Sequence, residues 1–309
     1  MSLELVERIA NAVLYEGYIL YPYRASSVKN QRRFNFGVLV PQSYSELQSG
    51  TESYTMRTEC LLCGGPQTTL DVRVRFLQVV PEAAPEGSLA SYQSWQGSLE
   101  REVSLRDCRP DEARHEPFHF PMGTGGEKFI EGAVTVTPRL IEDGLFHVAV
   151  SVVNRTSLQL TEEFSRDEIL PYSFAAAHTI LAARDGEFVS LLDPPAELKQ
   201  AASECKNTGT WPVLAGETGQ RGFMLSSPII LYDYPEIAPE SPGDLFDGTE
   251  IDEILTLRIL TLTDEEKAEV RGGDDRARRI LERTEMLPQE HFMKLHGALR
   301  GLRPVEDSK

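Results

Sequence analysis

The sequence predicts an α+β fold, with a strand-rich antiparallel core and helices near the N- and C-termini, and three features carry that prediction. Leu70, Val72, Val74 and Phe76 alternate with Asp71, Arg73 and Arg75, the period of two that a half-buried antiparallel strand requires. At the front of the chain Leu3, Val6, Ile9 and Val13 recur at helical spacing, so one stripe of a helix is apolar. Near the other end Thr263-Asp264-Glu265-Glu266 has the form of a capping box, in which hydroxyl and carboxylate satisfy orphan amides reciprocally and open a helix. Strands do not alternate regularly with long helices, which disfavours a doubly wound nucleotide fold.

Each element follows from its residues. The first helix ends at Gly17, and the aromatic stretch Tyr18 to Tyr23 and the segment Phe34 to Val40 read as two strands, the second closed by Pro41. After a polar loop comes the alternating strand at Leu70 to Phe76. Val79 to Gly97, with Pro81, Pro85 and Gly87, reads as a long loop before a strand at Leu99, Val103 and Leu105, and Cys108 through Gly126 as another loop. Val134 and Val136 then lead to a turn at Glu142-Asp143-Gly144, and Phe146, Val148, Val150 and Val152 return as the hairpin partner. Asp185-Gly186 predicts a second tight turn between Ile180–Ala182 and Phe188–Leu192. Lys199 to Gly216 is the best internal boundary. It divides a strand-rich region, 1–205, from a mixed strand and helical region, 206–309, which holds a strand at Leu255 to Ile259, a helix over Asp274 to Glu285 and a last helix after Pro288.

Charge and cysteine usage limit the functions open to the chain. Asp and Glu number 48 against 31 Lys plus Arg, a formal charge of −17, so the global field repels nucleic acid and anionic lipid. The longest apolar stretches, Val148 to Val153 and Pro228 to Tyr232, are too short to cross a bilayer. Four cysteines without an N-terminal apolar leader favour the reducing cytoplasm.

Four groups of residues could carry chemistry. Cys60-Leu-Leu-Cys63-Gly-Gly has the spacing that brings two thiolates to one metal, with zinc the candidate ion. No second pair follows, so Cys108 or Cys205 would have to complete the site; the competing reading is two half-buried thiols at a loop or strand end. Arg24, Lys29, Arg32 and Arg33 lie in a stretch from Gly17 to Tyr44 with no acidic residue and could hold an anion or an acidic partner surface, against the alternative of a solvated connection. Tyr21, Tyr23, Phe34 and Phe36 beside them suit single-stranded nucleic acid, and equally a sheet core. Asp244, Asp247, Glu250, Asp252 and Glu253 could bind a hard cation, but depart from the calcium-loop pattern. Gly123 to Lys128 departs from a phosphate loop, because Glu127 separates the last glycine from the lysine.

The segments Gly17-Tyr-Ile-Leu-Tyr-Pro-Tyr-Arg-Ala-Ser-Ser27 and Arg33-Phe-Asn-Phe-Gly-Val-Leu39, with Ser227-Pro-Ile-Ile-Leu-Tyr-Asp-Tyr-Pro235 and Glu250-Ile-Asp-Glu253, resemble a family of uncharacterised bacterial proteins found beside uptake NiFe-hydrogenase components. The resemblance implies an assembly or accessory role and supplies no catalytic residues. The sequence therefore leads to the expectation of a cytosolic accessory or protein-binding protein with a protein partner. A metal-dependent hydrolase is the alternative.

Overall fold

The computed structural model describes residues 2–15, 37–82, 95–122, 128–158, 164–236 and 262–271, together with 278, 281, 282, 285 and 286. The chain is a mixed α+β protein built on a large antiparallel sheet, with helices near both ends. It divides into two compact units, residues 1–18 with 32–236, and residues 19–31 with 237–309.

In the first unit, helix α1 (Ser2–Tyr15) leads to a short helix α2 (Gln42–Leu47). The strands are β1 (Thr55–Glu82), β2 (Trp95–Cys108), β3 (Arg114–Pro121), β4 (Phe129–Glu142) and β5 (Leu145–Asn154). One-turn helix α3 (Arg166–Ile169) precedes β6 (Ala175–Phe188), and helix α4 (Lys199–Glu204) precedes β7 (Trp211–Leu214) and β8 (Phe223–Ser227). The order across the sheet is β3-β4-β5-β1-β6-β8-β7, with β2 also paired to β1.

β1 organises this sheet because its 28 residues change partners along their length. Thr55–Cys63 pairs with β5, Leu70–Glu82 with β2, and Leu62–Leu77 with β6. Where the partners change, the register with β6 shifts between Gly64 and Thr69. Thr68 secures this bulge: its hydroxyl accepts the Gly65 amide at 2.8 Å and donates to the Asp185 carbonyl at 2.6 Å. At its start β1 also exchanges amide bonds with Thr208, through Arg57, which returns the chain beyond α4 to the edge of β1.

Both faces of the sheet are covered. Met56, Leu62, Val72, Val74 and Phe76 of β1 share one core with Val134, Val150, Leu181 and Met224. Phe76 anchors an aromatic cluster there, with ring centroids 4.5 Å from Phe174 and 5.9 Å from both Phe118 and Phe120. On the opposite face Leu61, Leu145 and Val189 meet Ala202 of α4, while α1 lies against β6 and β8 with Val6, Ile9, Ala10, Val13 and Leu14 buried. Each of the Val, Ile and Leu side chains among them contributes roughly 1.5–3 kcal/mol of transfer free energy, so the amphipathic stripe alone is reason enough for α1 to dock.

Several elements differ from the expectation. Cys108 through Gly126 is not all loop, since Arg114–Pro121 forms β3; an edge strand with exposed side chains and two prolines leaves no alternation to read. The polar stretch after Pro41 holds α2. The strand at Leu70 extends back to Thr55 and on to Glu82. Asp185 takes a positive φ of 51°, as the Asp-Gly reading requires, yet β6 continues through it to Phe188 and no hairpin turn forms.

In the second unit Thr263 precedes helix α5 (Asp264–Arg271) and its carbonyl accepts the Lys267 amide at 2.9 Å, where the capping box predicts a helix start. Glu285 binds Arg271 at 2.8 Å and Lys267 at 3.2 Å. The strand predicted at Leu255 to Ile259 and the helix after Pro288 lie outside the described residues, as does the strand at Tyr18 to Tyr23.

Candidate functional site

The first unit buries the carboxylate of Glu59 beside an imidazole. Glu59 of β1 and His147 of β5 both lie on the face that α4 and the following segment cover, each less than a tenth exposed. The Glu59 carboxylate accepts from Arg57 Nε at 2.6 Å and from the Lys206 amide at 2.7 Å, and its Oε2 lies 3.0 Å from His147 Nε2. The Glu59 amide donates to Asn207 Oδ1 at 2.7 Å, and Arg57 Nη1 donates to Ser151 Oγ at 3.0 Å. Burial alone would raise the carboxyl, but the Lys206 amide, Arg57 and His147 together hold it below the usual carboxylate range. The Lys206 and Asn207 bonds tie the segment after α4 down across β1 and the His147 and Ser151 bonds join β5 to it, so the cluster acts as a clamp.

The thiols of Cys60 and Cys63 sit in the middle of β1, whose register with β5 is unbroken there. Residues three apart on a strand point to opposite faces. Cys60 is buried in the core with Met56 and Leu62, whereas Cys63 packs on the other face against the group formed by Leu61, Leu145, Val189 and Ala202. Cys205, after α4, packs against that second group too, and Cys108 belongs with Cys60 in the first. All four are free thiols. Burial pushes each thiol up, Cys205 to about 11 and Cys60 further still. Among the described residues no three His, Cys, Asp or Glu side chains are grouped to hold a metal ion.

The third feature is a loop that displays apolar side chains. From Pro228 to Glu236 the chain runs past β7, and its backbone is fastened at both ends. Ser227 Oγ donates to the Ile229 carbonyl at 2.7 Å, and the Tyr234 amide donates to the Leu214 carbonyl at 2.7 Å. Between them Asp233 accepts the Leu214 amide at 2.8 Å and the Ser190 hydroxyl. Pro228 sits over Gly37, where a Cβ would meet its ring carbons at 2.6–2.7 Å. Yet Ile230 is 72% exposed and Tyr232 85%, and Trp211 and Leu192 are exposed as well. Scattered exposed apolar residues are ordinary, whereas a contiguous exposed apolar patch marks an interaction site.

Of the remaining residues singled out from the sequence, Arg24, Lys29, Arg32 and Arg33 lie outside the described residues, as do Asp244 to Glu253 and most of Gly123 to Lys128. His115 and His119 are exposed on β3, the first within 2.9 Å of Thr135 Oγ1 and the second edge-on to Phe129. Sequence reasoning misses the Glu59 clamp and the Asp233 fastener. Both join residues far apart in the chain, and no local spacing announces either.

No family model matches the chain, and no curated protein matches it.

Among the described residues no helix is long and apolar enough to cross a membrane.

Proposed function

We propose that the protein is an accessory protein that acts by binding another protein, and that the partner docks on the loop Pro228–Glu236. The observation that carries this reading is the combination of fastening and exposure. Asp233, Ser227 and Tyr234 fix the backbone while Ile230 and Tyr232 stand in solvent. A loop fixed before binding loses little conformational entropy when a partner covers it, so its apolar area converts more fully to affinity. Tyrosine is the side chain expected at such a centre, since it offers an apolar ring and a polar tip.

The partner's chemistry follows from the charge around the loop. Asp193 and Glu236 are exposed at its margins, and the whole chain carries −17, so the fitting surface is an apolar patch framed by Lys and Arg. The segment Ser227 to Pro235 is also one of those that resemble the hydrogenase-associated family, which makes components of a metalloenzyme assembly the first partners to try. A cytoplasmic location agrees with four free thiols, two of them buried.

The test is site-specific photo-crosslinking in cells of the source organism, with the crosslinking residue at position 232 and, as a control, at exposed Leu140 on β4. A discrete protein captured at 232, absent at 140 and lost on Ile230→Ser, supports the reading. Equal, diffuse capture at the two positions overturns it.

A further inference from the structure

His178 is a buried titratable group that the proposed docking site does not use. It lies in β6 directly opposite Arg75 of β1, so the two side chains share a face of the sheet. Arg75 Nη1 donates to Asn11 Oδ1 of α1 at 2.8 Å, which identifies that face as the one under α1. Ile180 of β6 and Leu225 of β8 are paired in register and buried, and α1 packs on both strands. His178 is fully buried. Its Nδ1 is 2.9 Å from the Ala176 carbonyl, so Nδ1 carries the proton and Nε2 is a bare lone pair. That Nε2 has no hydrogen-bond partner among the described residues.

We propose that α1 is an acid-sensitive cover: His178 takes up a proton at Nε2 far more readily when α1 has lifted, so acidification raises the fraction of molecules in which the apolar face of β6 and β8 is exposed. The cause is the lack of any acceptor for a new Nε2–H in the closed state. A second N–H formed there would face no acceptor among the described residues. The charges facing it favour the neutral ring on balance. Arg73 and Arg75 stand on β1, the nearest cations; Glu102 and Glu100 of β2 and Glu7 of α1 are engaged with those guanidinium groups. Glu4 and Arg8 of α1 are exposed, and β8 carries no charged residue. Burial, aided by Arg75 and Arg73 against the Ala176 bond and Glu102, depresses the ring to about 4.

Lifting α1 is the opening that lets water reach Nε2. The helix is held by an apolar stripe and by side-chain contacts that include Arg75 to Asn11 and Arg73 to Glu7 at 2.6 Å, whereas β6 is hydrogen-bonded along its backbone between β1 and β8. Once lifted, an ordinary imidazole protonates near pH 6.5. The opened state then gains a proton that the closed state refuses, and opening becomes about tenfold more favourable per pH unit below that value. This inference goes beyond the docking loop and does not depend on it.

Hydrogen exchange of the full chain tests the idea. Protection factors of α1 amides, corrected for intrinsic exchange, should fall about thirtyfold between pH 7.5 and pH 5, while the β4–β5 hairpin keeps its protection. His178→Asn retains an N–H for the Ala176 carbonyl and cannot be protonated, and in it the fall should vanish. A flat wild-type profile overturns the proposal. So does a parallel loss in the β4–β5 hairpin, or an undiminished fall in the variant. Should the variant not fold, the His178 ring is followed by nuclear magnetic resonance in the wild type. Titration in step with α1 exchange supports the proposal, and titration near pH 6.5 with α1 still protected overturns it.

Discussion

Glu59 and His147 meet at 3.0 Å across neighbouring strands although they are not register partners, since Glu59 lies opposite Ala149 and His147 opposite Leu61. The diagonal leaves the carboxylate free to take the Arg57 guanidinium and the Lys206 amide on its other sides. One buried charge thus binds β5, its own strand and the segment after α4 together.

Replacing Glu59 with Gln leaves donors facing an amide group that can accept on one atom only. We expect a loss of about 2 kcal/mol of unfolding free energy at pH 7, read from the urea midpoint. The pH dependence has a fixed sign. The folded carboxyl titrates below its unfolded value, so its contribution is complete above about pH 5 and is lost as pH falls through the depressed folded value. The gap between wild type and Glu59→Gln should therefore narrow in strong acid; a gap that widens there would show that the carboxylate is not stabilised by its partners.

Asp233→Ala separates the shape of the docking loop from its composition. It removes the acceptor for the Leu214 amide and the Ser190 hydroxyl and leaves Ile230 and Tyr232 in place. Stability should drop by about 1–2 kcal/mol, and exchange of the amides of 229–236 should rise while that of β4 and β5 does not. If prior fixing of the loop matters, capture by a partner weakens in this variant as well. Full capture by a loosened loop would assign the binding to side chains alone.

The β4–β5 hairpin was legible in the sequence because Val134, Val136 and Val148 to Val152 mark its buried face, and Gly144 takes the positive φ of 78° that its turn demands. α1 was legible for a similar reason, its apolar stripe marking the face that docks. The first part of β1 was not. Cys60, Leu61 and Leu62 are all buried, because different layers cover the two faces, and a strand buried on both sides loses its alternation. Asp185-Gly186 misled for a subtler cause. The backbone bends as that pair permits, but the bend accommodates the bulge at Thr68 on β1 instead of reversing the chain. The exposure of Ile230 and Tyr232 was not legible, since sequence does not distinguish a buried Ile from one displayed by fastened backbone.

That bulge yields a paired prediction. A Cβ at Gly186 would lie 2.7 Å from Thr68 Cγ2 and 3.0 Å from the Cys63 carbonyl oxygen, whereas one at Gly65 would meet nothing within 4 Å. Gly186→Ala should cost about 1–3 kcal/mol through overpacking, and Gly65→Ala should stay within about 0.5 kcal/mol of wild type. Thermal melts of the two variants are sufficient. Equal effects would mean that the close contact between β1 and β6 relaxes without cost.

The cysteine pair gives the last prediction, because here spacing and geometry diverge. Cys-x-x-Cys brings two sulfurs together when the intervening backbone turns, as in a zinc knuckle, but Cys60 and Cys63 lie on an extended strand with unbroken pairing to β5 and belong to opposite layers. Thiolates are the form that binds zinc, and burial opposes that form at both residues. We expect freshly purified protein to hold well under one zinc per chain. Ellman's reagent at pH 8 should leave Cys60 and Cys108 unreacted, modify the half-buried Cys63 and Cys205 slowly, and reach all four thiols only after denaturation. Cys60→Ser should lower stability by placing a hydroxyl in the apolar layer, at a cost of about 1–3 kcal/mol, and Cys63→Ser should have a smaller, independent effect. One equivalent of zinc, lost in both variants, would require β1 to break at Leu61–Leu62 and would overturn this account of the strand.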